Sequence, residues 1–370
     1  MKLMKAVVLK GTNRLAVEEV PKPTAGPGEA IVRVTLTSIC GTDVRIVRGE
    51  YPVAPGLILG HEPVGVIEEL GAGLGDLYTI GQRVLVGAVT PCGQCYDCLN
   101  GAHAQCGGAA GGWRIGHTIN GAWAEYVRVP DARANLAPIP AGLTDEAVLP
   151  CADVFSAGLA GAESGDVRVG DAVAVFGQGP VGLAAALGAK LRGAALIVGV
   201  DPIGQRLEVA RRFGVTVTLN IRDGDPIPEI RRLTGGRGVD VAIEALGRQE
   251  TFEHALASLR PGGTLSSLGV YSGKVQASSE LLHAGLADQK IVTTLCPGGK
   301  ERMRRLMAMV EHRRVDLTPL ITHQFSLDDI DEAFELFSRQ RDGVLKVALH
   351  PVHTFDRFNR VAVGALDDQC

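Results

Sequence analysis

Two hydrophobic rhythms divide the chain. Up to about residue 150 the apolar residues come in short β-rich runs, at 6–8, 30–36, 65–69, 83–86 and 124–129, separated by Gly and Pro. That texture predicts a mostly antiparallel, barrel-like β domain whose first strand lies in the opening MKLMKAVVLK. From about residue 160 the apolar strands AVAVF (172–176), LIVGV (196–200) and VDVAIEAL (239–246) alternate with helical stretches such as VGLAAALGAKLRG (181–193). Strands alternating with helices predict βαβ units and a parallel sheet, so the fold class is α/β with two domains. After the turn LCPGG (295–299), ERMRRLMAMVEHRR reads as an amphipathic helix. In FSLDDIDEAFELFSRQ, Ser326 and Asp329 have the spacing of a capping box, and VLKVALH reads as a last strand. The expected boundaries are 1–156 for the β domain, 157–297 for the α/β domain, 298–350 for a return to the first domain and 351–370 for a loosely held tail.

Bulk numbers narrow the function. A chain of 370 residues exceeds the usual size of a single core, and 46% hydrophobic residues can fill two. The 37 basic and 41 acidic residues leave a net charge of −4 without a long basic block, which argues against a nucleic-acid partner. The apolar run in the opening segment is too short for a secretory signal. No stretch reaches the roughly 20 apolar residues that span a bilayer, so the expectation is a soluble, cytoplasmic protein that binds no membrane.

Candidate chemistry begins with cysteine. Pro91 to Cys106 reads PCGQCYDCLNGAHAQC, and Cys92, Cys95, Cys98 and Cys106 in one loop suit a closed tetrahedral zinc site without an open position for substrate. Disulfides and an iron–sulfur cluster are the other readings; a reducing compartment counts against the first. His103 then remains a solvated loop residue. Upstream, Cys40 in SICGTD and His61 in GHE offer one thiolate and one imidazole. A catalytic zinc takes about three protein ligands, so a third must come from elsewhere.

The stretch VAVFGQGPVG places Gly177, Gly179 and Gly182 in a GxGxxG pattern between a strand and a helix that opens with Pro180 and Val181. The first glycine makes a tight turn, the second lets a pyrophosphate approach the backbone, and the third lets helix and strand pack closely. Asp201 closes the next strand, 19 positions after Gly182, where a carboxylate can accept hydrogen bonds from an adenosine ribose. The other reading of Asp201 is a helix cap before Pro202. A carboxylate there repels a 2′-phosphate and no arginine follows directly, so NAD is expected over NADP.

Taken together, GHEPVG, the four-cysteine loop, VAVFGQGPVG and LCPGG resemble the zinc-dependent medium-chain alcohol dehydrogenases over residues 1 to about 350. The run from Asp153 through the GAE at 161–163 into GPVGL and GAKLRGA is most similar to the bacterial secondary-alcohol branch. The resemblance implies a GroES-like, mostly antiparallel β catalytic domain beside a Rossmann-type, doubly wound parallel-sheet cofactor domain. It implies two zinc ions per chain, one structural in the cysteine loop and one catalytic on Cys40, His61 and Asp153, with Glu62 as a ligand that exchanges with substrate or water. Asp153 replaces a cysteine used by many relatives and leaves the metal more Lewis acidic; Cys151 competes for the place but falls out of register. Asp43 would orient His61. Thr42 would carry the substrate proton, although Arg45 stands where many relatives end the relay with histidine. Ala88, Trp113, Tyr271 and Leu295 would line a small apolar pocket for short secondary alcohols or ketones, while Trp113 and Tyr271 read equally well as core aromatics. Retention of the cysteine loop departs from the nearest secondary-alcohol relatives. A polyol, primary-alcohol or aldehyde dehydrogenase is the alternative on the same scaffold, and a catalytically silent NAD- or zinc-binding protein is the alternative outside it. A homo-oligomer, dimer or tetramer, is implied by resemblance alone.

Overall fold

The computed structural model describes residues 2–108 and 111–351, so most of the expected tail lies outside the described residues. The chain divides into two compact units, Met1–Asp153 with Pro297–Cys370, and Val154–Cys296. Each is a different solution to burying apolar strands.

The first unit is mostly antiparallel. Strand Ala30–Ile39 is its centre, pairing with Val64–Leu70, Tyr126–Val129 and Lys346–His350, all antiparallel. Arg83–Val86 and Leu136–Pro138 extend the sheet on one side, and Ile321–Ser326 extends it on the other as a parallel neighbour of Lys346–His350. Val32, Val34, Ile67, Val84, Val86, Val127 and Val129 form the core between these strands. Their near-alternation along each strand is the period-2 signal read from the sequence. A separate hairpin joins Leu3–Gly11 to Arg14–Pro21.

The second unit is a six-stranded parallel sheet. Its order is Val217–Asn220, Leu196–Asp201, Ala172–Phe176, Val239–Glu244, Leu259–Ser267, Lys290–Thr293. The chain winds outward one way from Ala172–Phe176, then restarts beside it at Val239–Glu244 and winds the other way. That reversal is the switch point where doubly wound sheets bind ligands, beyond the carboxyl ends of the strands. Ala172–Phe176 is buried along its whole length, as a central strand covered on both faces must be.

One local reading differs. The expected capping box at Ser326 forms otherwise: the Ser326 hydroxyl donates to the Asp329 carboxylate at 2.8 Å, and a 3₁₀ turn Leu327–Asp329 precedes the helix Ile330–Ser338. The serine oxygen that was expected to accept a backbone N–H has no cap bond to one. The helix therefore starts four residues after Ser326 rather than directly behind it.

Candidate metal centre and cofactor turn

Cys40 caps the helix Gly41–Val47, and the Asp43 carboxylate in that first turn accepts from the Cys40 backbone N–H at 2.8 Å. This fixes the thiol at the end of the central strand. His61 and Glu62 follow Gly60, whose φ of 85° and whose closeness to the Trp123 ring exclude a side chain: a Cβ would lie 2.2 Å from Cδ1 of Trp123. Trp123 is fully buried, and its ring N–H donates to the Ser38 carbonyl at 3.0 Å. One indole therefore braces two of the chain segments that deliver the candidate ligands, those before Cys40 and His61.

Asp153 completes the group. The donor atoms of Cys40, His61, Glu62 and Asp153 all lie within 4.8 Å of one another. Cys40 Sγ is 3.5 Å from Asp153 Oδ2, and His61 Nε2 is 3.8 Å from the same oxygen. Around a tetrahedral zinc with ordinary bond lengths a thiolate–carboxylate edge is about 3.5 Å and an imidazole–carboxylate edge about 3.3 Å, so the first distance matches such a site and the second lies about half an ångström beyond it. Cys151, the competing residue, is buried in the turn Leu149–Ala152 and does not belong to the group. Burial alone pushes its thiol far above the usual range, which suits inert packing.

The electrostatics suit a dication. Burial pushes the Cys40 thiol up, and the neighbouring Asp153 carboxylate pushes it further, so a thiolate here needs a positive neighbour. Burial disfavours a charged His61, but the nearby Asp43 and Asp153 carboxylates outweigh it and hold the imidazole well above its usual value. Asp43 Oδ1 stands 3.4 Å from His61 Nδ1, which leaves Nε2 facing Asp153 and Glu62. Ligation takes the neutral imidazole and the thiolate, so a bound divalent ion releases both protons. Thr42 is half-buried with Oγ1 3.8 Å from Cys40 Sγ. Arg45, five positions after Cys40, lies 3.9 Å from Glu50.

The loop cysteines also converge. Their sulfurs form a second group within 4.8 Å, with Cys95 to Cys106 at 3.8 Å and Cys92 to Cys98 at 4.0 Å. A disulfide needs about 2.05 Å, whereas four thiolates around zinc stand about 3.8 Å apart. The Cys98 backbone N–H holds the Cys95 thiol down to about 6, while burial pushes Cys106 up to about 12.

Of the expected pocket residues, Ala88 and Trp113 share the unit of the Cys40 group. The Ala88 N–H donates to the Ala152 carbonyl at 2.9 Å, next to Asp153. Trp113 meets the His61 ring edge-on at 5.9 Å, and His117 stacks on its other neighbour face at 4.2 Å. The Trp113 ring N–H is buried without a hydrogen-bond partner among the described residues. Tyr271 and Leu295 belong to the other unit. The Tyr271 hydroxyl donates to Glu244 at 2.8 Å and also meets Ser267 at 2.8 Å, so its polar end is committed within the sheet.

At the cofactor turn, Gly179 caps the helix Pro180–Leu191. A Cβ at Gly182 would lie 1.7 Å from the Gly177 carbonyl oxygen, and Gly177 itself has φ 91°. Pro180 fits the first helical turn, where no N–H bond is lost. Asp201 is buried, with Oδ2 accepting from the Gln178 N–H at 2.7 Å and Oδ1 from the Ile203 N–H at 2.8 Å. The carboxylate thus ties the glycine turn to the end of the second strand. Arg206, missed in the sequence, brings a guanidinium 3.7 Å from where a Gly179 Cβ would stand. Burial holds it below its usual value, opposed by Asp201.

A GroES-like β unit carrying two metal-suited donor groups, joined in sequence to a doubly wound sheet with a glycine turn, defines the class of zinc-binding dehydrogenases. Residues 26–141 match the family model of the alcohol dehydrogenase GroES-like domain, and residues 180–312 match that of the zinc-binding dehydrogenase. An alcohol dehydrogenase from Cupriavidus necator is 54% identical over 363 residues, covering 94% of this chain and 99% of the relative. The NADP-dependent isopropanol dehydrogenase of Thermoanaerobacter brockii is 36% identical, covering 93% and 98%. Among solved structures, zinc-dependent alcohol dehydrogenase 2 from Streptococcus pneumonia superposes with a TM-score of 0.87 at 37% identity, covering 94% of this chain and 98% of that one. The chain belongs to the zinc-dependent medium-chain alcohol dehydrogenase family. Among the described residues, no helix is long and apolar enough to cross a membrane.

Proposed function

We propose that the protein transfers a hydride between NAD and small secondary alcohols or ketones, with Cys40, His61 and Asp153 holding a catalytic zinc and the four loop cysteines a structural one. The convergence of three unlike donors within 4.8 Å of one another carries this reading. A zinc held by these residues would supply Lewis acidity towards an alcohol oxygen, and a bound nicotinamide would supply the hydride chemistry. The protein's own part is placement and proton traffic. Thr42 Oγ1, beside the thiol, accepts the substrate proton and passes it to solvent, since Arg45 can only donate. Ala88 and Trp113 exclude water on the β-unit side and favour a substrate with two short alkyl arms around one oxygen.

Asp201 favours NAD, because a buried carboxylate at the strand end opposes a 2′-phosphate. The Thermoanaerobacter relative bears the name of an NADP enzyme, so coenzyme choice is the point to measure. Rates for 2-propanol, ethanol and sorbitol with NAD⁺ and NADP⁺ form one decisive matrix. We expect kcat/KM for 2-propanol with NAD⁺ to exceed that for ethanol by about tenfold, the worth of one methyl group in an apolar pocket, and to exceed that with NADP⁺. A preference for sorbitol would overturn the substrate, and a preference for NADP⁺ the coenzyme.

Asp43 should act on metal affinity. Replacing Asp43 by Ala removes the acceptor facing His61 Nδ1, and the expected result is zinc affinity about 10–100-fold weaker in a chelator competition. Unchanged affinity would remove Asp43 from the site.

A further inference from the structure

Among the described residues, Lys346 is the only buried Lys or Arg. It stands inside the apolar strand Lys346–His350, 1% exposed, among the largest fully buried side chains. A lone ammonium in such surroundings is costly unless it is paired. Its Nζ donates to Glu62 Oε1 at 2.6 Å and lies 3.4 Å from the Ile39 carbonyl. The strand pairs with the end of Ala30–Ile39, through Val347 opposite Ile39, so the ammonium is delivered to the back of the Cys40 group by sheet register.

Glu62 is held on both sides. Its Oε2 accepts from the Ser38 hydroxyl at 2.9 Å. Its Oε1, the oxygen that stands 3.9 Å from His61 Nε2, is the one Lys346 occupies. Neither Ser38 nor Lys346 was singled out by the sequence, and neither has a part in the reaction proposed above. With a divalent ion bound, the three anionic donors Cys40, Glu62 and Asp153 would face one dication and one ammonium, whose formal charges would cancel. Asp43 adds a fourth negative charge, with one oxygen accepting from the Cys40 N–H and the other 3.4 Å from His61 Nδ1.

We propose that Lys346 is a positioning residue that keeps the Glu62 carboxylate off the metal, so that the fourth coordination position stays open to substrate. Remove the ammonium, and the carboxylate is left buried next to a single remaining cation, the metal; it then becomes a ligand. The inference rests on the zinc reading of Cys40, His61 and Asp153. It assigns the switch between a held and a ligating Glu62 to the charge on Lys346.

Cobalt(II) exchanged into the Cys40 group, with zinc kept at the loop cysteines, reports the ligand set through its visible ligand-field bands, read as difference spectra against His61→Ala. In Lys346→Met the bands should shift from those of the wild type, and removal of cobalt by chelator should slow by about tenfold, within the range by which supporting contacts change metal affinity. Lys346→Met combined with Glu62→Gln should return both readouts to the wild-type values, which a merely structural ion pair would not do. Should Lys346→Met fail to fold, Glu62→Gln alone decides: bands identical to the wild type support a carboxylate held off the metal, and shifted bands show Glu62 to be a resting ligand and overturn the proposal. Unshifted bands in a folded Lys346→Met also overturn it. If the wild type shows no thiolate–cobalt band at all, the zinc reading falls, and this one with it.

Discussion

Replacing His61 by Ala should lower kcat/KM for 2-propanol by at least about 1,000-fold with the fold retained. The figure follows from the several kcal/mol that a Lewis acid contributes to stabilising developing charge, where each 1.36 kcal/mol is tenfold. His61 is the only imidazole in the group, and its Nε2 is 3.8 Å from the Asp153 oxygen that also faces Cys40. The nearby His117 stacks on Trp113, and its Nδ1 is 3.0 Å from the Trp113 carbonyl. Far-ultraviolet circular dichroism checks that the β unit is intact. Activity within tenfold of the wild type would mean that the reaction does not pass through this group.

The second large effect is on stability. Trp123→Ala should destabilise the protein by about 3–5 kcal/mol in urea unfolding, the usual cost of deleting a buried Trp or Phe ring. The ring fills the space over Gly60, meets Phe334 edge-on at 6.5 Å, and satisfies the Ser38 carbonyl. Alanine leaves a cavity and an unpaired carbonyl at once. Trp123→Phe keeps most of the packing but drops the N–H donor, so it should cost about 1–3 kcal/mol. Because the indole braces the segments before Cys40 and His61, the alanine variant should also lose zinc more readily at temperatures below its unfolding. A loss under about 1 kcal/mol for Trp123→Ala would contradict the packing described.

Local signals carried much of this. The strand at 172–176 and the turn at Gly177 could be read because a run of small apolar residues ending in GxGxxG has few other uses. The donor residues were legible by type and motif, yet their convergence was not: Cys40 and Asp153 are 113 positions apart, and only the sheet brings them to 3.5 Å. Leu259–Ser267 escaped notice because Pro261, Gly262 and Gly263 break its pattern, and the structure absorbs them in a register shift against Val239–Glu244. Lys346 was passed over inside the strand VLKVALH, because its partner lies 284 positions away. Hydrophobic period reports which face is buried and says nothing of which distant residue waits there. Asp201 was placed at its strand end from spacing, whereas its two backbone bonds to Gln178 and Ile203 depend on the turn geometry.

The central claim is that a divalent ion sits among Cys40, His61 and Asp153 in addition to the one in the cysteine loop. Metal content per chain, measured by mass spectrometry on the purified protein and on His61→Ala, tests it most directly. Two zinc ions in the wild type and one in the variant are the predicted result; one ion in both would contradict the account.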